Sequence, residues 1–178
     1  MYAKNHLGNL GEDVVSLLMS RKINGAYRFS TKFLGEKAQL LDFMVSLLDA
    51  KGAEYGPFFF LQVKATESVA REANGISVRF SAGEVKAAQA RKVPVYLAGV
   101  ESLSDDDENV GVMGIDVHLL HGVTVVPRLF SLQLQETRQV IYDEVHAYFQ
   151  SEAKAFVSRL TRDASTLGLS KESNDEQS

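Results

Sequence analysis

A mixed α/β domain, with a central sheet flanked by helices and a long helix near the C-terminal end, is the architecture this sequence predicts. Three observations lead to it. The hydrophobic period switches several times between the helical and the strand repeat. The apolar runs are short and separated by turn-forming residues. With 178 residues, 45% hydrophobic and 24% charged, the chain suffices for one core in one domain.

From Asn9 to Arg21 the residues Leu10, Val14, Leu17 and Leu18 share one face, so this stretch reads as an amphipathic helix. Asn24-Gly25 marks a turn, and Tyr27 to Phe33 alternates weakly as a short strand. Leu40 to Leu48 reads as a strand after a polar loop. The turn-rich stretch Asp49 to Pro57 joins it to a second apolar run, Phe58 to Ala65, as a hairpin with a loop of about eight residues. Ile76 to Phe80 alternates as a half-buried strand does. Ser81-Ala-Gly-Glu84 has capping-box spacing, so a helix is expected from Ser81 to about Arg91. Val93 to Val100 follows as a strand, with Pro94 at its tolerant start. Val110 to Leu119 is the next strand. Leu134, Ile141, Val145, Tyr148, Phe149, Phe156 and Leu160 make the stripe of a helix expected over roughly Gln133 to Arg162. A folded domain over residues 1–164 is therefore expected, with a disordered polar tail over 165–178.

Composition removes several classes of chemistry. Without cysteine there is no disulfide framework, thiolate zinc site or cysteine nucleophile. Runs such as Phe58 to Leu61 and Val110 to Val117 are far shorter than the roughly 20 residues of a membrane helix. The N-terminal residues lack a signal-peptide apolar region, and Glu12 and Asp13 interrupt the next apolar stretch, so a cytoplasmic protein is expected. The net charge of -4 argues against a polyanionic ligand, but Asp105 to Glu108 contribute -4 and residues 163–178 contribute -3. The remaining body is near +3, which permits a nucleic-acid site without requiring one.

Candidate chemistry lies on two neighbouring strands. Asp42 stands among apolar neighbours, where a carboxylate requires a cation, a donor or a metal. Gln62 and Lys64 flank Val63, so both point to one face of their strand, and hairpin pairing can bring Asp42 alongside. Glu12, on the first helix, is a possible fourth member. An ordinary cross-strand ion pair of Asp42 and Lys64, with Gln62 on an exposed face, remains the alternative.

In these residues and their order the chain resembles the PD-(D/E)XK, or restriction-endonuclease-like, superfamily of metal-dependent nucleases. The resemblance spans roughly Gly11 to Val100: Glu12 on a helix, Leu41-Asp42-Phe43, the strand Phe60-Leu-Gln-Val-Lys64, then a helix and Val93-Pro-Val-Tyr-Leu97. It is nearest to the Mrr-like branch with a Gln-x-Lys motif, and to an uncharacterised bacterial family found in defence contexts. Gln62 departs from the superfamily's usual Asp or Glu, which removes one negative charge from the site. The resemblance implies a Mg²⁺-dependent DNA endonuclease, with Mn²⁺ as a possible substitute, acting against foreign DNA. Asp42 would be the direct metal ligand, Gln62 and the Val63 carbonyl would add oxygen ligands, and Glu12 would hold a second metal or a metal-bound water. Lys64 would orient the attacking water and stabilise charge on the phosphate. The runner-up reading is a catalytically silent domain of this fold that binds DNA or assembles with other chains. No helix-turn-helix or zinc finger is present, so target choice would fall to a partner protein or to homo-oligomerisation. The surface for that would be Tyr148, Phe149 and Phe156, which serve equally well to pack on their own sheet.

Other candidates are weaker. Lys86 and Gln89, one helical turn apart, read first as a solvated face and second as phosphate contacts. His118 and His121 lack zinc-site spacing, and His146 reads as a surface or packing residue of the final helix. Gly111, Gly114 and Gly122 form no phosphate-binding fingerprint. Asp105 to Glu108 read as a solvated loop.

Overall fold

The computed structural model describes residues 2–35, 40–67, 75–104 and 107–161; Asp105, Asp106 and the polar tail lie outside them. Helix α1 (Tyr2–Met19) is followed by strands β1 (Phe29–Phe33), β2 (Phe43–Leu48), β3 (Glu54–Thr66) and β4 (Gly75–Phe80). Then come α2 (Ala82–Gln89), β5 (Val95–Ser104), β6 (Asp107–Gly114), β7 (Val123–Pro127) and α3 (Gln135–Gln150). Five strands form a mixed sheet in the order β1-β2-β3-β5-β6, parallel only between β3 and β5, while β4 and β7 pair antiparallel in a small second sheet. Among the described residues no helix is long and apolar enough to cross a membrane.

Strand alternation sorts the central sheet into two cores. Phe59, Leu61 and Val63 of β3 and Tyr96, Ala98 and Val100 of β5 face α1 and α3, where they meet Val15, Leu18, Ile141 and Val145. The other face carries Val95, Leu97 and Met113 and is covered by Phe80, Val85, Ala88, Val123 and Val126 of α2 and the small sheet. The result is three layers, with β3 and β5 at the centre. Helix α1 approaches closely because Gly11 has no side chain; a Cβ there would stand 3.0 Å from the Ala65 Cβ.

Several elements differ from the sequence expectation for identifiable reasons. The β2–β3 turn is tighter, because the Asp49 carboxylate accepts the backbone N–H of Lys51 (2.8 Å) and of Ala53 (2.9 Å), and β3 begins at Glu54. Gly56 and Pro57, read as breakers, sit inside β3 where the register against β2 shifts between Ser46 and Leu48. Asp107 and Glu108 are not in a solvated loop; they begin β6, opposite Ser104 and Ser102. That strand ends at Gly114 rather than Leu119, and β7 has no counterpart in the sequence expectation.

The long C-terminal helix is the main correction. Helix α3 stops at Gln150, Ser151 turns extended, and residues 151–158 cross without helical structure before helical residues 159–161. Phe156 and Leu160 are nevertheless buried, Phe156 packing edge-on against Tyr96 at 5.3 Å. Buried carboxylates hold this strap. Glu144 accepts from the Arg159 N–H (2.8 Å), the Ser158 hydroxyl (2.8 Å) and the Tyr96 hydroxyl (2.7 Å), and Asp116 accepts the Ser158 N–H at 3.0 Å. Backbone donors that a helix would have paired internally are thus satisfied from outside.

The strap lies so close to β6 that Gly114 tolerates no side chain: a Cβ would come within 2.4 Å of the Ser158 Cβ. Gly114→Ala is therefore expected to cost about 1–3 kcal/mol by overpacking. Gly83→Ala, in α2 with only the Ser81 hydroxyl 3.8 Å away, should instead gain about 0.4–1 kcal/mol. Thermal melts of the two variants, with opposite signs expected, check both.

Candidate active site

The site forms where β2 leaves the sheet. Leu40 adopts a positive φ of 69°, so the strand begins at Phe43 rather than at Leu40. Asp42 sits just before it, held in register by its N–H to the Leu61 carbonyl (3.1 Å) and its carbonyl to the Leu34 N–H (2.8 Å). Since Phe43 pairs with Leu61, Asp42 stands across from Gln62.

Their side chains meet. The Gln62 amide Nε2 donates to Asp42 Oδ2 at 2.7 Å and to the Val63 carbonyl at 3.2 Å. The Val63 backbone N–H donates to the same Oδ2 at 2.6 Å. Gln62 is only 7% exposed, and its Oε1 is buried with no hydrogen-bond partner. Flipping the amide would set that oxygen against the Asp42 and Val63 oxygens, so the hydrogen bonds fix its orientation. A buried acceptor left unpaired costs about 1–3 kcal/mol.

Lys64 lies on the same strand face two residues on, but it does not form an ion pair with Asp42. Its Nζ is 3.3 Å from Glu84 Oε1 and lies over the Phe80 ring. Glu84 is itself fixed: its Oε2 accepts the Ser81 N–H at 2.6 Å, and its own N–H donates to the Ser81 hydroxyl, completing the expected capping box. The alternative reading, an Asp42–Lys64 pair with Gln62 exposed, is thereby excluded on both counts. Glu84 was legible only as a cap; nothing in its spacing showed that its free oxygen reaches Lys64.

Burial raises the Asp42 carboxyl above its ordinary value, against the opposing pull of the Val63 N–H and the Lys64 charge. Burial also raises Glu12, and the Asp42 and Asp13 charges add to the effect, so Glu12 stands within electrostatic reach of the site. Burial works the same way on Glu84, but the Ser81 donors and Lys64 outweigh it and its carboxyl is lowered.

Asp42, Gln62 and Val63 are thus in direct contact, Glu12 joins through its field, and Lys64 is on the same face but turned to Glu84. Among the described residues no three His, Cys, Asp or Glu side chains group into a metal cage. A cation would draw on the two carboxylates and the Val63 carbonyl, and on the Gln62 oxygen once the amide turns its nitrogen away from Asp42 and Val63. These are hard oxygens, the donor class that Mg²⁺ takes.

The weaker candidates do not join this site. Gln89 ties α2 to the loop after β6, its amide nitrogen donating to the Asp116 (2.7 Å) and Leu119 (2.9 Å) carbonyls rather than standing on a solvated face. Lys86, His118 and His121 are exposed. His146 bonds the Tyr55 hydroxyl through Nδ1 at 2.8 Å. Tyr148 and Phe156 are buried in their own core. No protein-family model, curated protein or solved structure matches the chain.

A carboxyl whose folded pKa is raised contributes stability that is complete below its ordinary value, 3.8 for Asp42, and is lost as pH rises through the folded value. Asp42→Asn escapes that loss while keeping an acceptor for the Val63 N–H. In EDTA it is expected to melt higher than the wild type at pH 7, with the gap closing as pH falls toward 3.8. Millimolar Mg²⁺ or Mn²⁺ should raise the wild-type melting temperature and leave that of Asp42→Asn nearly unchanged; scanning calorimetry reads both effects.

Proposed function

We propose that the chain is a Mg²⁺-dependent nuclease hydrolysing DNA phosphodiester bonds through a restriction-endonuclease-like core. The observation that carries this reading is the buried, unpartnered Gln62 oxygen beside the Asp42 carboxylate, with Lys64 on the same face of β3. An orphaned hard oxygen next to an acid and an ammonium suits a divalent cation and a phosphate together. Sharing one face of β3 supports common roles for Gln62 and Lys64, and Glu12 adds the second carboxylate.

In this reading Asp42, the Val63 carbonyl and, with its amide turned over, the Gln62 oxygen would hold the cation, and Glu12 would hold a water or a second cation at its edge. Bound Mg²⁺ supplies Lewis acidity toward a phosphoryl oxygen and a more acidic water. Lys64 orients the attacking water and stabilises negative charge as it develops on the phosphate. Glu84, anchored by Ser81, sets where the Lys64 ammonium stands before substrate arrives. On the same resemblance the setting is cytoplasmic defence against foreign DNA, with target choice supplied by a partner protein or a second copy.

A second reading, a catalytically silent domain that binds DNA or assembles with other chains, is favoured by one observation. Asp42 Oδ2 is already taken by two N–H donors, and Lys64 is already paired with Glu84. Cleavage of supercoiled, linear and single-stranded DNA in Mg²⁺, in Mn²⁺ and in EDTA separates the two. The nuclease reading expects metal-dependent cleavage that falls about 10²–10³-fold in Lys64→Ala, with DNA association largely spared. Asp42→Asn should be equally inactive. Equal null results for wild type and both folded variants on every substrate would give the silent reading the field.

A further inference from the structure

We infer that the half of the β3 face leading away from Lys64 is a landing surface for an unpaired nucleic-acid strand, an inference that rests on the nuclease reading only for where that strand leads. Phe58 and Phe60 lie on the same strand face as Gln62 and Lys64, and unlike Phe59 and Leu61 they are only half-buried. At 3.3 Å per residue, Phe60 is about 7 Å and Phe58 about 13 Å from Gln62 along the strand. The two rings stand edge-on to each other at 5.7 Å, and each has a further neighbour. The Arg91 guanidinium lies 5.8 Å from the Phe60 centroid, and Phe149 packs 5.6 Å from Phe58.

Further basic groups lie one ring away. The Lys154 ammonium lies 5.9 Å from the Phe149 centroid and 5.5 Å from that of Tyr148. The Tyr148 hydroxyl donates to the Lys92 carbonyl at 2.5 Å, which brings the Arg91-Lys92 turn beside Lys154. Arg91, Lys92 and Lys154 are exposed, with Glu152 two residues before Lys154. In a chain of net charge -4, Arg91 over Phe60, Lys154 over Phe149 and the adjoining Lys92 set three cations beside half-buried aromatic rings on a candidate phosphodiesterase strand.

The chemistry that fits is phosphate for the cations and a flat π-face for the rings. Single-stranded nucleic acid presents both, since its bases are free to stack. A duplex keeps its bases stacked internally and offers only phosphate, and an acidic polypeptide offers charge without rings. The substrate class named for the site is therefore DNA with an unpaired stretch running from Phe58 toward Asp42 and Lys64.

Fluorescence anisotropy in EDTA tests this without any cleavage, using a labelled 20-mer deoxyoligonucleotide, the same sequence as RNA, its DNA duplex and polyglutamate. The wild type is expected to bind the single DNA strand at least tenfold more tightly than the duplex and not to bind polyglutamate. Arg91→Ala with Lys154→Ala should weaken single-strand binding at least tenfold and lower the salt slope by about 1.4. Phe58→Leu, which keeps an apolar side chain, should weaken it without changing the slope, provided its melt confirms folding. Tighter binding of RNA than DNA would overturn the DNA assignment. Equal affinity for duplex and single strand, binding of polyglutamate, or unchanged binding by the doubly substituted protein would overturn the surface itself. A wild type that binds single strands through these residues but cleaves nothing in Mg²⁺ or Mn²⁺ would remove the nuclease reading and leave the surface standing.

Discussion

The Val63 N–H to Asp42 hydrogen bond is the constraint on which the site depends. Beyond the Phe43–Leu61 pair, β2 turns away at Leu40 and its backbone no longer supplies acceptors to β3. A strand covered on both faces cannot leave an N–H unpaired there without a penalty of about 1–3 kcal/mol. The Asp42 side chain takes the place of the missing backbone carbonyl. Its carboxylate is consequently positioned by main chain rather than by a neighbour's rotamer, and it inherits the rigidity of β3. The cost is burial, which raises the Asp42 carboxyl; Glu12 is raised by its own burial first and by the Asp42 charge second.

A second coupling of packing to chemistry appears at Ser81 and Glu84. One oxygen of Glu84 closes the start of α2 while the other meets Lys64, so the helix that covers one face of the sheet also aims a cation at it. Packing and site geometry cannot be varied separately at that position. A Glu84→Gln substitution would retain a capping partner for the Ser81 N–H and lose the ion pair, whereas an apolar residue would lose both.

Much of this arrangement was legible because it rests on short-range rules. Period-2 alternation put Gln62 and Lys64 on one face, hairpin order put Asp42 opposite, and capping spacing marked Ser81. What remained hidden depends on contacts between residues far apart. Residues 133–162 carry a helical apolar stripe, yet Glu144 and Asp116 draw the backbone around Ser158 out of the helical path. Gly56-Pro57 has the composition of a loop and sits within a strand because the register shift makes room for it. The destination of Lys64 could not be read either, since strand alternation gives a side and not a partner.

The strap after α3 bears on when this molecule can become itself. Phe156 and Leu160 fill the core that Val15, Phe59 and Tyr96 begin, and Ser158 satisfies carboxylates on α3 and beyond β6. Emerging from a ribosome at about 5–20 residues per second, the chain has made every strand of both sheets well before these residues appear. Until then the Glu144 carboxylate has the Tyr96 hydroxyl but lacks its Ser158 and Arg159 donors. The core is thus completed by the last segment to be synthesised among the described residues, which brings the Ser158 and Arg159 donors to carboxylates made before it.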